Sequence, residues 1–329
     1  MDEPILEPNN SRFSLFPIKH NDLWKLTKDA EAALWVANEI DFGGDLNDWE
    51  SLDDNEKYFI KNILAFFAGS DGIVLENLMG TFNTEVQYPE ARAFYAVQTY
   101  IEFVHSEVYS KMIDTLVRDN EEKEKLFDAI ETIPCVSKKA DWAKKWMDPD
   151  VNDFARRIIG FVIVEGLFFS GSFCSIFWLK FRGKMKKALA KSNELIARDE
   201  MMHTRFGITL YKNHIVNKLD VDVIYEMFEE AIDIEKEFIC ESLPCRLIGM
   251  NSDLMIQYIK YVADTLIKSL GYKKKYNVQN PFSFMNNMAS DGKTNFFEER
   301  VTEYQRAASV SSSSERKNFG GDDDLDDDF

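Results

Sequence analysis

The segment from Ile101 to Tyr109 constrains the fold more than any other part of this 329-residue chain. Its Glu102, His105 and Tyr109 stand at positions i, i+3 and i+7. On an α-helix these three side chains fall within a sector of about 60°. The surrounding positions are largely apolar, which predicts that this face is buried. Burying a carboxylate without a partner costs several kcal/mol, so either a cationic side chain or a metal ion must lie beside Glu102.

The composition excludes several classes of function. Lys and Arg total 39 against 57 Asp and Glu, which gives a net charge of −18. Such a surface repels phosphate backbones, and we therefore expect no nucleic-acid partner. The four cysteines form no C-x-x-C pair, and no apolar signal segment opens the chain. We expect reduced thiols and a cytoplasmic location.

The longest apolar run, from Ile158 to Leu179, raises the question of a membrane span. Glu165, Ser170 and Ser172 interrupt this run, and charged residues stand close on both sides. A buried core helix is therefore the better interpretation, and we expect no membrane association.

The hydrophobic pattern predicts helices along most of the chain and no alternating strand. We expect an all-α fold with a Pro-punctuated extended arm over residues 1–20, a helical domain over residues 21–304 and a flexible acidic tail over residues 305–329. The first helix should begin at Asp22 and carry Trp35, and Asp45 to Asp54 should be a polar connection. The other expected helices are 56–85, 89–117, 122–132, 135–146, 154–181, 188–214, 221–240, 244–250 and 253–270.

A set of acidic and histidine residues recurs on the helices expected in the core. Two of the four histidines close a Glu-x-x-His pair, and two other core helices each hold one carboxylate among apolar residues. This is the pattern of di-iron and di-manganese carboxylate bundles. Four carboxylates and two neutral imidazoles would balance two metal cations and leave positions open for oxygen or water. The six expected ligands are Asp71, Glu102, His105, Glu165, Glu200 and His203.

Each of these residues also has an ordinary explanation when it is taken alone. A single Glu-x-x-His is usually a solvated pair, and Asp71 could equally cap or bend its own helix. An unpaired Glu165 is harder to explain, because its surroundings are apolar. Tyr109, one turn beyond a histidine, is on spacing alone best explained as a core tyrosine. The six residues together favour the metal hypothesis far more than any of them does separately.

Several segments identify a family resemblance. The chain resembles the small, radical-bearing subunit of class I ribonucleotide reductase, of the eukaryotic and large-DNA-virus type. The resemblance extends from Glu3 to Tyr304. The segments that carry it are Ser70–Val74, Ile101–Tyr109, Val164–Gly166, Phe168–Phe173, Ser192–Glu200, Gly292–Phe297 and Glu303–Gln305.

The resemblance implies a ferritin-like helical bundle with additional helices and an oxo-bridged pair of iron ions bound by the same six residues. It implies that Tyr109 carries a stable radical within an apolar shelter of Phe169, Phe173 and Ile196. Its electron route matches Trp35, Asp199, His105 and Tyr304.

The resemblance also implies two partners. One is a second small subunit, and the other is the large subunit that reduces ribonucleoside diphosphates for DNA synthesis. The C-terminal tail should bind the large subunit through Leu325 and Phe329, although Asp323 stands where related tails often carry Phe.

Two other functions remain as alternatives. One is a metal-poor structural paralogue that pairs with an active small subunit, and the full ligand set argues against it. The other is a ferritin-like oxidase or iron store. Such a protein would need neither Trp35 and Tyr304 nor a tail with apolar anchors.

Overall fold

The structure, a computed structural model, describes residues 3–242 and 245–287. Every regular element in those residues is helical and none is a strand, which confirms the all-α prediction. The α-helices there are α1 (Asn21–Ala32), α2 (Leu46–Ser51), α3 (Asp54–Asn77), α4 (Asn83–Glu85), α5 (Pro89–Leu116), α6 (Asn120–Phe127), α7 (Ala129–Thr132), α8 (Pro134–Met147), α9 (Phe154–Ile163), α10 (Ser170–Phe181), α11 (Leu189–His214), α12 (Val221–Lys236), α13 (Ser252–Ser269) and α14 (Ser283–Asn287).

Three turns of π-helix interrupt this series. They span Leu78–Phe82 between α3 and α4, Val164–Phe168 between α9 and α10, and Glu237–Ser242 after α12. A π turn adds one residue to a helical turn and is frequent at functional sites. The expected continuous helices 56–85 and 154–181 therefore exist, but each contains a widened turn that hydrophobic periodicity does not reveal.

Among the described residues, two helices are long and apolar enough to cross a membrane by length and composition, Asp54–Glu85 and Phe154–Phe181. Their most apolar windows are 56% and 100% buried inside the protein. The second helix is thus the fully buried core helix that its interrupted apolar run predicted.

Three local predictions were wrong. Helix α1 ends at Ala32, so Trp35 lies in the following loop and not on the first helix. The supposed polar connection contains α2, whose Trp49 is buried. The expected helix 122–132 is two helices, because Asp128 ends α6 before α7 begins.

Capping residues explain where the helices that hold the site begin. Asp53 accepts a hydrogen bond from the Glu56 amide at the start of α3, and Pro89 occupies the first position of α5 as its ring geometry favours. Helix α11 is capped from a distance. The buried carboxylate of Asp45 accepts hydrogen bonds from the amides of Lys187, Ala188 and Leu189 at 2.8, 2.8 and 2.9 Å.

We predict that Asp45→Ala destabilises the protein by about 2–4 kcal/mol, because the change leaves several amides at the start of α11 without an acceptor. The free energy of unfolding, from chemical denaturation, measures the effect. The neighbouring exposed Asp41 is the control, and Asp41→Ala should change stability by less than about 0.5 kcal/mol. Equal effects of the two changes would contradict this role of Asp45.

Candidate metal centre

Four helical segments bring the six expected ligands together in the core. Asp71 lies on α3, Glu102 and His105 on α5, Glu165 in the π turn Val164–Phe168, and Glu200 and His203 on α11. All six side chains are at most 1% exposed.

The ligand atoms form two groups that share Glu102. One group contains Asp71, Glu102 and His105, and the other contains Glu102, Glu165, Glu200 and His203. Within each group one ligand atom from every residue lies within 4.8 Å of the others. Glu200 reaches both groups, because its Oε1 lies 3.0 Å from His105 Nδ1 and its Oε2 lies 2.9 Å from His203 Nδ1. The two groups could therefore each hold a metal ion, and Glu102 belongs to both.

The residues present fit a metal centre on two observations. First, polar atoms at the cluster have no hydrogen-bond partner among the described residues: Asp71 Oδ2, Glu102 Oε2, His105 Nδ1, Glu165 Oε1, Glu165 Oε2 and Glu200 Oε1. Second, His203 Nδ1 lies 3.0 Å from Glu102 Oε1 and 2.9 Å from Glu200 Oε2. Adjacent ligands at right angles, each about 2.1 Å from one ion, are separated by about 3 Å. Oxygen and imidazole donors of this kind suit divalent first-row metals.

His105 is oriented by a partner outside the cluster. Its Nε2 lies 3.2 Å from Asp199 Oδ2, and the indole N–H of Trp35 donates to the same oxygen at 2.7 Å. With the ring proton on Nε2 donated to Asp199, the lone pair of Nδ1 faces the cluster, as is usual for a metal-bound histidine. Arg198 donates to the other Asp199 oxygen and to the Ala33 carbonyl, at 3.0 and 2.6 Å. Arg198 thereby ties the loop that carries Trp35 to α11.

Tyr109 is fully buried beside the cluster in an aromatic pocket. Its ring stacks on Phe67 with centroids 4.6 Å apart and planes inclined by 4°. Phe67 in turn contacts the two expected shelter aromatics, with centroid distances of 5.5 Å to Phe169 and 5.1 Å to Phe173. Ile196, the third expected shelter residue, is buried on α11. These contacts keep water away from the phenol.

Comparison with known proteins identifies relatives of this chain. A family model described as "Ribonucleotide reductase, small chain" matches residues 12–281. The small chain of ribonucleoside-diphosphate reductase from Trypanosoma brucei brucei is 54% identical over 100% of this chain and 96% of that protein. The corresponding small chain of vaccinia virus strain Ankara is 54% identical over 94% of this chain and 96% of that protein. The chain belongs to the ribonucleotide reductase small-chain family.

Solved structures agree with this assignment. The Rnr4 homodimer of Saccharomyces cerevisiae matches with a TM-score of 0.81 and 36% identity, over 92% of this chain and 93% of that one. The dimanganese(II)-NrdF of Streptococcus sanguinis, at 19% identity and a TM-score of 0.71, shares the fold. The chain is therefore a small, radical-generating subunit of ribonucleoside-diphosphate reductase with the ferritin-like fold that its sequence implied.

Motif reasoning in this reductase subunit missed three residues at the site. Phe67 stacks on Tyr109, Asn193 Oδ1 accepts a hydrogen bond from the Tyr109 hydroxyl at 3.2 Å, and Gln98 Nε2 donates to Glu102 Oε1 at 3.3 Å. Helical spacing held the signal. Phe67 precedes Asp71 by four positions, Gln98 precedes Glu102 by four, and Asn193 precedes Glu200 by seven. Each missed residue therefore shares a helix face with a ligand.

Several predicted functional residues lie outside the described residues. They are Tyr304 at the end of the electron route and Leu325, Phe329 and Asp323 in the tail.

Electrostatics in the metal-free cluster favour bound protons. Burial, and next the charge of Glu102 or Glu200, raise the pKa values of Asp71 and Glu165 well above their usual range. Burial works against a charged imidazole, but neighbouring carboxylates outweigh it and raise the pKa values of His105 and His203. Burial also opposes ionisation of Glu200, yet its hydrogen bonds and His203 lower its pKa. Metal ions would replace these protons.

We predict that the metal-free protein loses stability as the pH rises from about 6 to about 8.5. Asp71, Glu165, His105 and His203 bind protons more tightly in the folded than in the unfolded chain, so folding is weakened as those protons leave. Glu200, with its lowered pKa, is ionised in both states over this range and contributes nothing to the slope. We expect the melting temperature to fall by at least about 5 °C, measured by calorimetry after chelation of metal.

The control for this prediction is His214→Gln, which alters a histidine bonded to Asp22 outside the cluster. It should keep the wild-type slope. Reloading with divalent metal should flatten the slope, since the metal occupies the positions of the protons. A metal-free melting temperature that is constant or rises with pH would contradict the prediction.

Proposed function

We propose that Asp71, Glu102, His105, Glu165, Glu200 and His203 bind two iron ions and that Tyr109 holds the radical of this reductase subunit. The observation that supports the metal site most strongly is the set of buried, unpartnered donor atoms at the cluster. When bound, the two ferrous ions would supply two of the four electrons that reduce oxygen; the oxidised tyrosine would supply the third and an external reductant the fourth.

The protein's own residues have separate roles in this proposal. The carboxylates would hold and neutralise the ions, and Asp199 fixes the orientation of His105. Phe67, Phe169 and Phe173 exclude water from Tyr109. The Asn193 amide donates through Nδ2 to the Leu189 carbonyl at 2.8 Å, so its Oδ1 is left to accept the phenol hydroxyl. The phenol is thereby held in one orientation.

Trp35, Asp199 and His105 form the inner part of the proposed electron route. The rings of Trp35 and His105 have centroids 6.2 Å apart, and Asp199 Oδ2 is hydrogen-bonded to both. Trp35 is 5% exposed and follows α1, so it lies between the cluster and the outside of the bundle. In the proposal Tyr304 continues this route, and the tail binds the large subunit through Leu325 and Phe329.

We also propose that two copies of the chain form the small-subunit dimer. The relative Rnr4 is a homodimer by its description. In this chain Met79, Tyr100 and Phe103 are 62%, 44% and 56% exposed. A hydrogen bond from Asn83 to Thr99 joins the two helical segments that carry these three residues. An exposed apolar patch of this kind suits a protein interface.

The metal-poor paralogue remains the alternative within the same family. The chain keeps all six ligand residues and Tyr109, and the structure groups the ligands with atoms free to bind. Metal analysis of the purified protein distinguishes the two functions. About two irons per chain support the di-iron proposal, as the two-metal carboxylate pattern requires. A protein that stays metal-free after ferrous loading supports the paralogue, and bound manganese would replace iron in the proposal.

We predict that Tyr109→Phe abolishes the tyrosyl radical signal after addition of ferrous iron and oxygen, because Phe lacks the hydroxyl that is oxidised. Electron paramagnetic resonance measures the signal, and iron content should stay at the wild-type value. Tyr95→Phe is the matched control, since Tyr95 is another buried tyrosine of α5. A signal that survives in Tyr109→Phe would assign the radical to another residue.

We predict that Trp35→Phe lowers the rate of nucleotide reduction by at least about 100-fold when the chain is assayed with its large subunit. The change keeps a buried aromatic ring but removes the N–H that donates to Asp199. Iron content should not change. Trp49→Phe, at a buried tryptophan of α2, should keep more than about half of the activity. Equal losses in the two variants would remove Trp35 from the route.

A further inference from the structure

A buried ion pair lies next to the metal centre but contributes no ligand to it. Lys139 on α8 and Glu235 on α12 are 2% and 0% exposed, and the ammonium contacts a carboxylate oxygen of Glu235. The Lys139 Nζ also lies 3.9 Å from the ring centroid of Phe66 and 3.8 Å from that of Phe238. Desolvating two charges is expensive, and an apolar pair of similar volume is often at least as stable. Stability alone therefore does not account for this pair.

The pair lies at the break between the π turn and α10. Lys139 Nζ donates to the carbonyl of Phe168, the last residue of the π turn, at 2.8 Å. Gly171, in the first turn of α10, lies directly against the Glu235 carboxylate. Carbonyl groups favour a cation where a helical segment ends, and amides favour an anion where one begins. The positive Lys139 lies beside the carbonyl at the end of the π turn, and the negative Glu235 lies beside the start of α10.

Other contacts also hold the backbone at this break. The Ser170 hydroxyl donates to the Leu167 carbonyl at 2.7 Å, so a second carbonyl of the π turn has a side-chain donor. A side chain at Gly171 would collide with Glu235 Oε1, which explains why glycine stands there. On the opposite side of the turn, a Cβ at Gly166 would lie 2.9 Å from Leu266 Cδ1. The π turn is thus confined between α13 on one side and the ion pair on the other.

This confinement matters because the same five-residue turn carries Glu165. The polar neighbours of Glu165 are Glu200 and His203, which are themselves candidate ligands, and no hydrogen bond to a described residue outside the cluster fixes where its carboxylate points. Its position depends on the backbone of the turn. That backbone is held at its end by the hydrogen bond to the Phe168 carbonyl and at its middle by the close packing of Gly166.

We propose that Lys139 is a positioning residue that holds the π turn through the Phe168 carbonyl, so that Glu165 faces the metal cluster. Glu235 is the counter-ion of this ammonium, and its carboxylate lies against Gly171 at the start of α10. The inference rests on the proposed function, since it assigns Glu165 to the metal site. It adds to that function a buried charged residue that is not itself a ligand but sets the position of one ligand.

Three variants of the full-length chain test the proposal. Lys139→Met removes the donor to Phe168. Glu235→Gln keeps the shape of the partner and leaves Lys139 free to donate to Phe168. The double variant Lys139→Met with Glu235→Leu removes both charges, so it avoids an unpaired buried ion and should recover most of the melting temperature that Lys139→Met loses.

Two readouts are needed, and neither is activity. The first is anaerobic titration with ferrous iron, followed by near-infrared circular dichroism, which reports the coordination of the ions. The second is hydrogen exchange of the metal-free protein over residues 164–172. We expect Lys139→Met and the double variant to bind the second iron at least about tenfold more weakly, with a changed spectrum. Exchange in that segment should be at least about tenfold faster in both.

Glu235→Gln should lower the melting temperature while its iron spectrum and its exchange over residues 164–172 stay as in the wild type. That result, with the losses expected for the two Lys139 variants, supports the proposal. If the double variant binds iron with the wild-type spectrum, the pair is only structural and the proposal is overturned. If Glu235→Gln changes the spectrum as much as Lys139→Met does, the contact with Phe168 is not the cause and the proposal is also overturned.

The same experiment separates this proposal from the proposed function. A wild-type protein that binds no iron refutes the metal site itself. In that case hydrogen exchange still decides whether Lys139 holds the π turn. A wild-type protein that binds two irons, together with an unchanged double variant, refutes the positioning role alone.

Discussion

The burial of four carboxylates and two imidazoles at the centre of one helical core is the constraint on which the rest of the structure depends. Without metal these groups can only share protons, which is why the pKa values of Asp71 and Glu165 are raised together with those of His105 and His203. A core of this kind is costly by itself. In the proposed function, metal cations would neutralise the carboxylates, and the cost of the metal-free state would become affinity for metal.

Such a site requires helices whose backbone cannot shift, and the structure fixes them at their ends and at their breaks. Asp45 holds the start of α11 from a loop more than 140 positions earlier in the chain, and Asp53 caps α3 locally. The π turn that carries Glu165 packs against α11 and α13. The same principle applies there, because a charged side chain satisfies backbone groups that the helix itself leaves open. Long-range polar contacts therefore determine the ligand geometry as much as apolar packing does.

The sequence predicted the helical class, the two core helices with single carboxylates and the grouping of the six candidate ligands, because spacings of three, four and seven residues place side chains on shared helix faces. It did not predict that Trp35 lies beyond α1, because the hydrophobic periodicity continues past Ala32 although the helix ends there. The π turns were equally hidden, because a single inserted residue barely changes an all-apolar pattern. The hydrogen bonds of Asn193 and Lys139 were not predicted, because their partners, Tyr109 and Phe168, are distant in sequence.

The surroundings of the cluster distinguish a radical-generating site from an iron store. A store needs a polar path by which ions enter and leave, whereas Tyr109 lies against stacked aromatic rings that exclude water. On the other side, one carboxylate oxygen of Asp199 joins the indole of Trp35 to His105. Because Arg198 holds the second oxygen and the Ala33 carbonyl, the loop of Trp35 cannot move without breaking this connection. The polar contacts that leave the cluster on this side thus form a fixed, narrow connection, which suits the transfer of electrons better than the passage of ions.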